Sequence, residues 1–98
     1  MRNLSDTASM MSSEDYKVRF YAEYWQTKIR YEKLRNFCNK IEAGQMCAPG
    51  VDEPEHDCPL SMLREQQAAM GEYLHVLELR AIIEKVGLDI PFTSNDKA

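Results

Sequence analysis

From Glu14 to Glu42 the chain contains neither glycine nor proline. At 1.5 Å per residue this run of roughly 29 residues makes about 43 Å of α-helix. "SSED" at Ser12–Asp15 supplies its start. Ser12 is read as the N-cap with Asp15 three residues on, and Glu14 and Asp15 suit the positive end of the helix dipole. "AG" at Ala43–Gly44 reads as the stop. Residues 43–58 then carry two glycines, two prolines and four acids, the composition of a loop. Pro59 suits the first turn of a second helix, with Asp57 or Cys58 near its cap. That helix is expected to run to about Val86, with Gly87 ending it. No strand-like alternation and no internal repeat interrupts the pattern.

The sequence therefore predicts an all-α fold, a long two-helix hairpin. Residues 1–13 are expected to form a disordered N-terminal arm, and Met11 is an alternative translation start. Residues 14–92 form one domain: helix 14–42, acidic loop 43–58, helix 59–86. Leu88, Ile90 and Phe92 are expected to fold back on the helices, and 93–98 to fray.

Each helix carries more apolar surface than one hairpin can use. On the first, Val18, Tyr21, Ala22, Trp25 and Ile29 form one stripe; Phe20, Tyr24, Tyr31, Leu34, Cys38 and Ile41 form another, roughly opposite. On the second, Leu63, Met70, Leu74, Leu77 and Ala81 share one face, and Met62, Ala69, Val76 and Ile83 share another. One stripe per helix closes the hairpin, and the other asks for a partner. At 98 residues with long helices, self-association is the economical answer: a homo-oligomer, most simply a dimer forming a four-helix bundle.

Gln66, Met70, Tyr73, Leu77 and Arg80 follow one another at steps of four and three, so they lie on one line of a helix. Gln66, Tyr73 and Arg80 put strong hydrogen-bonding groups where an apolar seam would be simpler. The first helix has a matching line of Lys17, Tyr24, Lys28, Tyr31 and Arg35, which alternates cations with aromatic rings. Bases stack on tyrosine, and lysine or arginine takes phosphate, so the two lines together suit a small anionic, base-containing ligand. The alternative for the second helix's line is a core margin with buried stems and wet tips, and for the first helix's line an ordinary solvated face.

Other chemistry finds less support. The net charge of −4 argues against general nucleic-acid binding, although the first helix holds seven basic and five acidic residues. No apolar run is long enough to span a membrane, and the N-terminus lacks the apolar core of a signal peptide. An odd cysteine count suits a reducing compartment, so a cytoplasmic location is expected. Cys38, Cys47, His56 and Cys58 are ligand types for zinc, but their spacing matches no compact zinc module, and no metal or cofactor is expected. There is no phosphate-binding glycine loop and no nucleophile elbow, so a binding protein is expected rather than an enzyme.

"YKVRFYAEYWQTKIRYEKLRNF" followed by "LREQQAAMGEYLHVLELR" resembles a family of small helical proteins from crAss-like and other tailed phages. The matching residues are Lys17, Arg19, Glu23, Arg30, Lys33 and Leu34, then Gln66, Met70, Tyr73, Leu77 and Arg80. The resemblance implies a phage protein and, by analogy, a counter-defence role in the infected host cell. The foremost expectation is sequestration, without cleavage, of a nucleotide immune signal such as a cyclic dinucleotide or an ADP-ribose derivative. The alternatives are an inhibitor that binds a host defence protein directly, as anti-CRISPR proteins do, and a structural or regulatory phage protein with no ligand. The acidic loop favours the direct inhibitor, since it could occupy a basic nucleic-acid groove.

Overall fold

The computed structural model describes residues 4–47 and 49–88. It holds a short helix α1 (Ser5–Ala8), a 3-10 turn (Met10–Ser12), a long helix α2 (Tyr16–Cys47) and a second long helix α3 (Leu60–Glu84). The long helices form a hairpin, and no strand occurs among the described residues. Among those residues no helix is long and apolar enough to cross a membrane. The expected positions of Ile90, Phe92 and the 93–98 tail lie outside the described residues.

The residues at the helix ends differ from the sequence expectation, each for a local reason. Asp15, not Ser12, caps α2. Its Oδ1 accepts the Lys17 N–H at 2.9 Å, and its carbonyl accepts the Arg19 N–H at 3.2 Å. Ser12 closes the 3-10 turn instead, with its Oγ donating to the Ser9 carbonyl. The arm before α2 is helical in two short turns, and Thr7 within it is fully buried.

At its other end α2 runs through Ala43–Gly44 to Cys47. Gly44 is a docking point for the loop rather than a stop. A Cβ there would stand 2.6 Å from Glu53 Cα, so only glycine lets the returning loop pass this close. Pro59 lies one place outside α3, its carbonyl accepting the Met62 and Leu63 N–H groups. The end of α3 also comes before Gly87. Lys85 takes φ 61°, and the Val86 N–H reaches back to the Ala81 carbonyl at 2.9 Å. This six-to-one bond marks a Schellman turn, with a lysine where glycine is usual.

The chain divides into two compact units. The first is Met1–Ile29 with Leu74–Ala98, and the second is Arg30–Tyr73. In the first unit Phe20, Ala22 and Tyr24 of α2 are buried, as are Leu74, Leu77 and Ala81 of α3. The Trp25 indole N–H donates to the Leu88 carbonyl at 3.1 Å, so part of the other α2 stripe is met by this chain's own C-terminal segment. In the second unit Cys38 and Ile41 are fully buried, and Tyr31 lies against Gly71.

Burial separates the two faces of α3. Leu74, Leu77 and Ala81 are buried and Leu63 and Met70 half-buried, whereas Met62, Ala69, Val76 and Ile83 are exposed. Leu79 and Ile82 extend the exposed face. Neither long helix is strongly one-sided, because each carries apolar residues on two sides.

Candidate functional site

The eight residues singled out from the sequence fall four in each unit. Lys17, Tyr24, Lys28 and Arg80 belong to the first; Tyr31, Arg35, Gln66 and Tyr73 belong to the second.

In the first unit Arg80 is committed within its own chain. Its Nε and Nη2 donate to the two carboxylate oxygens of Glu84, one turn on, at 2.8 and 3.2 Å. Its guanidinium lies 4.7 Å from the centroid of the Phe20 ring. Tyr16 completes the group by donating its hydroxyl to Glu84 Oε1 at 3.1 Å. Hydrogen bonds from Arg80, with a smaller share from Tyr16, hold the Glu84 carboxyl below its usual range. The same Arg80–Glu84 bonds raise Arg80, and the bond to the carboxylate raises Tyr16. Arg80 is thus exposed and paired within its own helix.

Tyr24 is only 6% exposed, and its hydroxyl donates to Glu78 Oε2 at 2.9 Å. Its ring meets Trp25 edge-on at 5.2 Å between centroids. A ring so enclosed offers no face to a ligand. Lys28 is half-buried, and Lys17 is exposed in the first turn of α2. Lys17 lines an open groove of about 360 Å³ with Met10, Val18, Tyr21, Val86 and Gly87. The sequence reading missed this groove, because it is built by the N-terminal turn and the segment after α3, neither of which has helical periodicity.

In the second unit the Arg35 guanidinium lies 5.9 Å from the Tyr31 ring centroid, the nearest realisation of the cation–aromatic alternation. Gln66 and Tyr73 are exposed. Arg64, off the line in sequence, has a structural task. Its Nη1 donates to Gln67 Oε1 at 2.7 Å, and its Nη2 donates to Asn39 Oδ1 at 3.0 Å and to Glu42. One side chain thereby ties the start of α3 to the last third of α2.

The acidic loop has internal order. Glu53 Oε2 accepts from Gln45 Nε2 at 3.2 Å and from His56 Nε2 at 2.7 Å, while His56 Nδ1 stands 2.6 Å from the Cys58 carbonyl. Both ring nitrogens face acceptors, which asks for a proton on each and hence the imidazolium. The Glu53 bond, then the Cys58 carbonyl, raise the His56 pKa, and the His56 bond, then Gln45, lower that of Glu53. Glu53, Pro54, Glu55, His56 and Asp57 border a shallow depression of about 400 Å³. Among the described residues no three His, Cys, Asp or Glu side chains come together as a metal site. Cys38 is a buried free thiol on the core stripe, and Cys47 and Cys58 are exposed free thiols.

Comparison with curated proteins and with solved structures finds no match. A family model, described as Sequestin, matches residues 14–83. That span covers all of α2 and all of α3 but its last residue, together with the loop between them. The chain belongs to the Sequestin family.

Proposed function

We propose that this chain is a phage counter-defence protein that binds and sequesters a small anionic, base-containing ligand. The ligand class is a cyclic dinucleotide or an ADP-ribose derivative, held without bond cleavage by a homo-oligomer. The observation that carries this reading is the family match across both long helices, since the family's name denotes sequestration. It fits a binding role better than a catalytic one. The clustering of cations and aromatic rings along α2 supports the ligand class, with Arg35 over Tyr31 as its local expression. Arg35, Lys17 and Lys28 are the phosphate-binding candidates, Tyr31 and Tyr73 the stacking ones, and Gln66 offers an amide to a base edge or ribose hydroxyl. Arg80 would have to exchange Glu84 for phosphate to take part.

Native mass spectrometry of protein purified from cells, with and without cyclic dinucleotides and ADP-ribose derivatives, tests the proposal. The expected result is an oligomer carrying a nucleotide that is released intact on denaturation. Signal depletion by Arg35→Ala and Tyr73→Ala should fall at least tenfold relative to Lys40→Ala, an exposed control. Arg64→Ala is unsuitable as a control, because it releases the tie to Asn39 and Glu42. Equal depletion by all three variants, or a chain that neither retains nor depletes any of these nucleotides, overturns the reading.

A further inference from the structure

The groove in the first unit is made by three separate segments. Met10 comes from the 3-10 turn, Lys17, Val18 and Tyr21 from the first turns of α2, and Val86 and Gly87 from the chain beyond α3. The Schellman turn at Lys85 sets the last wall, since its bond from the Val86 N–H to the Ala81 carbonyl directs the chain into Val86–Gly87. A left-handed lysine costs backbone energy that a glycine would avoid, and such strain is commonly kept where it shapes a site.

The lining is mostly apolar, with one aromatic ring and one cation at the edge. The volume, about 360 Å³, lies at the small end of ligand pockets, roughly 300–1,000 Å³. That suits a single nucleotide unit rather than a whole dinucleotide. Lys17 is exposed, and Glu84, a carboxylate its charge acts on, already has both oxygens bonded by Arg80 and one also by Tyr16.

We infer that this groove binds one nucleotide unit, with its base against Tyr21 and the wall of Met10, Val18 and Val86, and its phosphate at Lys17. The inference rests on the sequestration reading for its ligand class, and it assigns the stacking role to Tyr21, which the α2 line of cations and rings does not include. It also accounts for Tyr24, whose burial leaves it no free face.

The test titrates the full-length chain with adenosine 5′-monophosphate, adenosine and inorganic phosphate, followed by amide NMR and calorimetry. Saturable binding of the mononucleotide should shift the Val18, Tyr21, Val86 and Gly87 amides. Tyr21→Leu should weaken mononucleotide and adenosine alike, by about tenfold, the loss of one base–aromatic stack. Lys17→Gln should weaken the mononucleotide by about threefold to tenfold and leave adenosine unchanged, the loss of one charge-assisted contact. Lys17 is exposed, so this variant stays decisive even where Tyr21→Leu fails to fold. Binding that neither variant alters, shifts confined to Tyr31, Arg35 and Tyr73, or no binding of mononucleotide or adenosine by the wild-type chain would each overturn the groove assignment. Those results leave the sequestration reading to native mass spectrometry of the wild-type chain, so the two fail separately.

Discussion

Lys85 is the described non-glycine residue with positive φ, and it ends α3 where the sequence points to Gly87. Its β-carbon crowds the backbone there by roughly 1–2 kcal/mol. Lys85→Gly should therefore raise stability by about 1 kcal/mol, the relief of crowding offset in part by the greater freedom of glycine in the unfolded chain. Thermal unfolding followed by circular dichroism reads this, and a lower midpoint would show that the lysine side chain contributes more than its backbone costs. His56 gives a second residue-scale prediction. Its folded pKa is raised, so its contribution is full below the ordinary histidine value and is lost as pH rises through the folded one. The Glu53 pKa is lowered, so its contribution is present above the ordinary carboxylate value and is lost as pH falls through the folded one. The loop's contribution is then complete between the ordinary carboxylate and the ordinary histidine values; it is lost on the alkaline side through His56 and on the acid side through Glu53. An NMR titration should place the His56 midpoint above that of an unstructured histidine and bring it down in Glu53→Gln. An unchanged midpoint would mean that the carboxylate does not hold the imidazolium.

At the scale of elements, two helical glycines make opposite predictions. Gly44 and Gly71 both lie inside long helices, where glycine costs about 1 kcal/mol relative to alanine. At Gly71 an added Cβ would meet the Tyr31 ring at 3.4 Å, an ordinary contact, so Gly71→Ala should stabilise by about 1 kcal/mol. At Gly44 the added atom would meet the Glu53 backbone at 2.6 Å, so Gly44→Ala should push the loop away and destabilise. Denaturant midpoints that move in the same direction for both would refute the distinction. Sequence periodicity shows which residues share a helix face, and it sorted Leu74, Leu77 and Ala81 from Val76 and Ile83 as burial does. It carries no information about partners far along the chain. The pairing of Arg64 with Asn39 and Glu42, or of Glu53 with Gly44, depends on hairpin register and loop path. For the same reason the two lines of polar residues were legible as lines while the burial of Tyr24 was not; the Arg80–Glu84 pair, four residues apart on one helix, is a spacing that the sequence does carry.

For the molecule as a whole, the unresolved need is the far face of α3. Val76, Leu79, Ile82 and Ile83 are between 48% and 76% exposed and lie on the side of the helix away from Leu74, Leu77 and Ala81. A single chain of this size buries too small a share of its apolar surface to leave such a stripe in water at no cost. A second copy would cover it most simply, because a two-fold contact uses the same stripe on both partners. The prediction contrasts two glutamates. Ile83→Glu puts a charge on the exposed stripe, so it should disperse the assembly while helical content is kept. Leu77→Glu puts the same charge at a position 1% exposed, where an unpaired carboxylate costs several kcal/mol, so it should unfold the chain. Light scattering at micromolar concentration should give the wild-type protein a mass well above that of the 11.4 kDa chain, and Ile83→Glu a mass near it. A wild-type mass of one chain would remove the oligomer. An Ile83→Glu variant that keeps its assembly would place the contact elsewhere than on this face of α3.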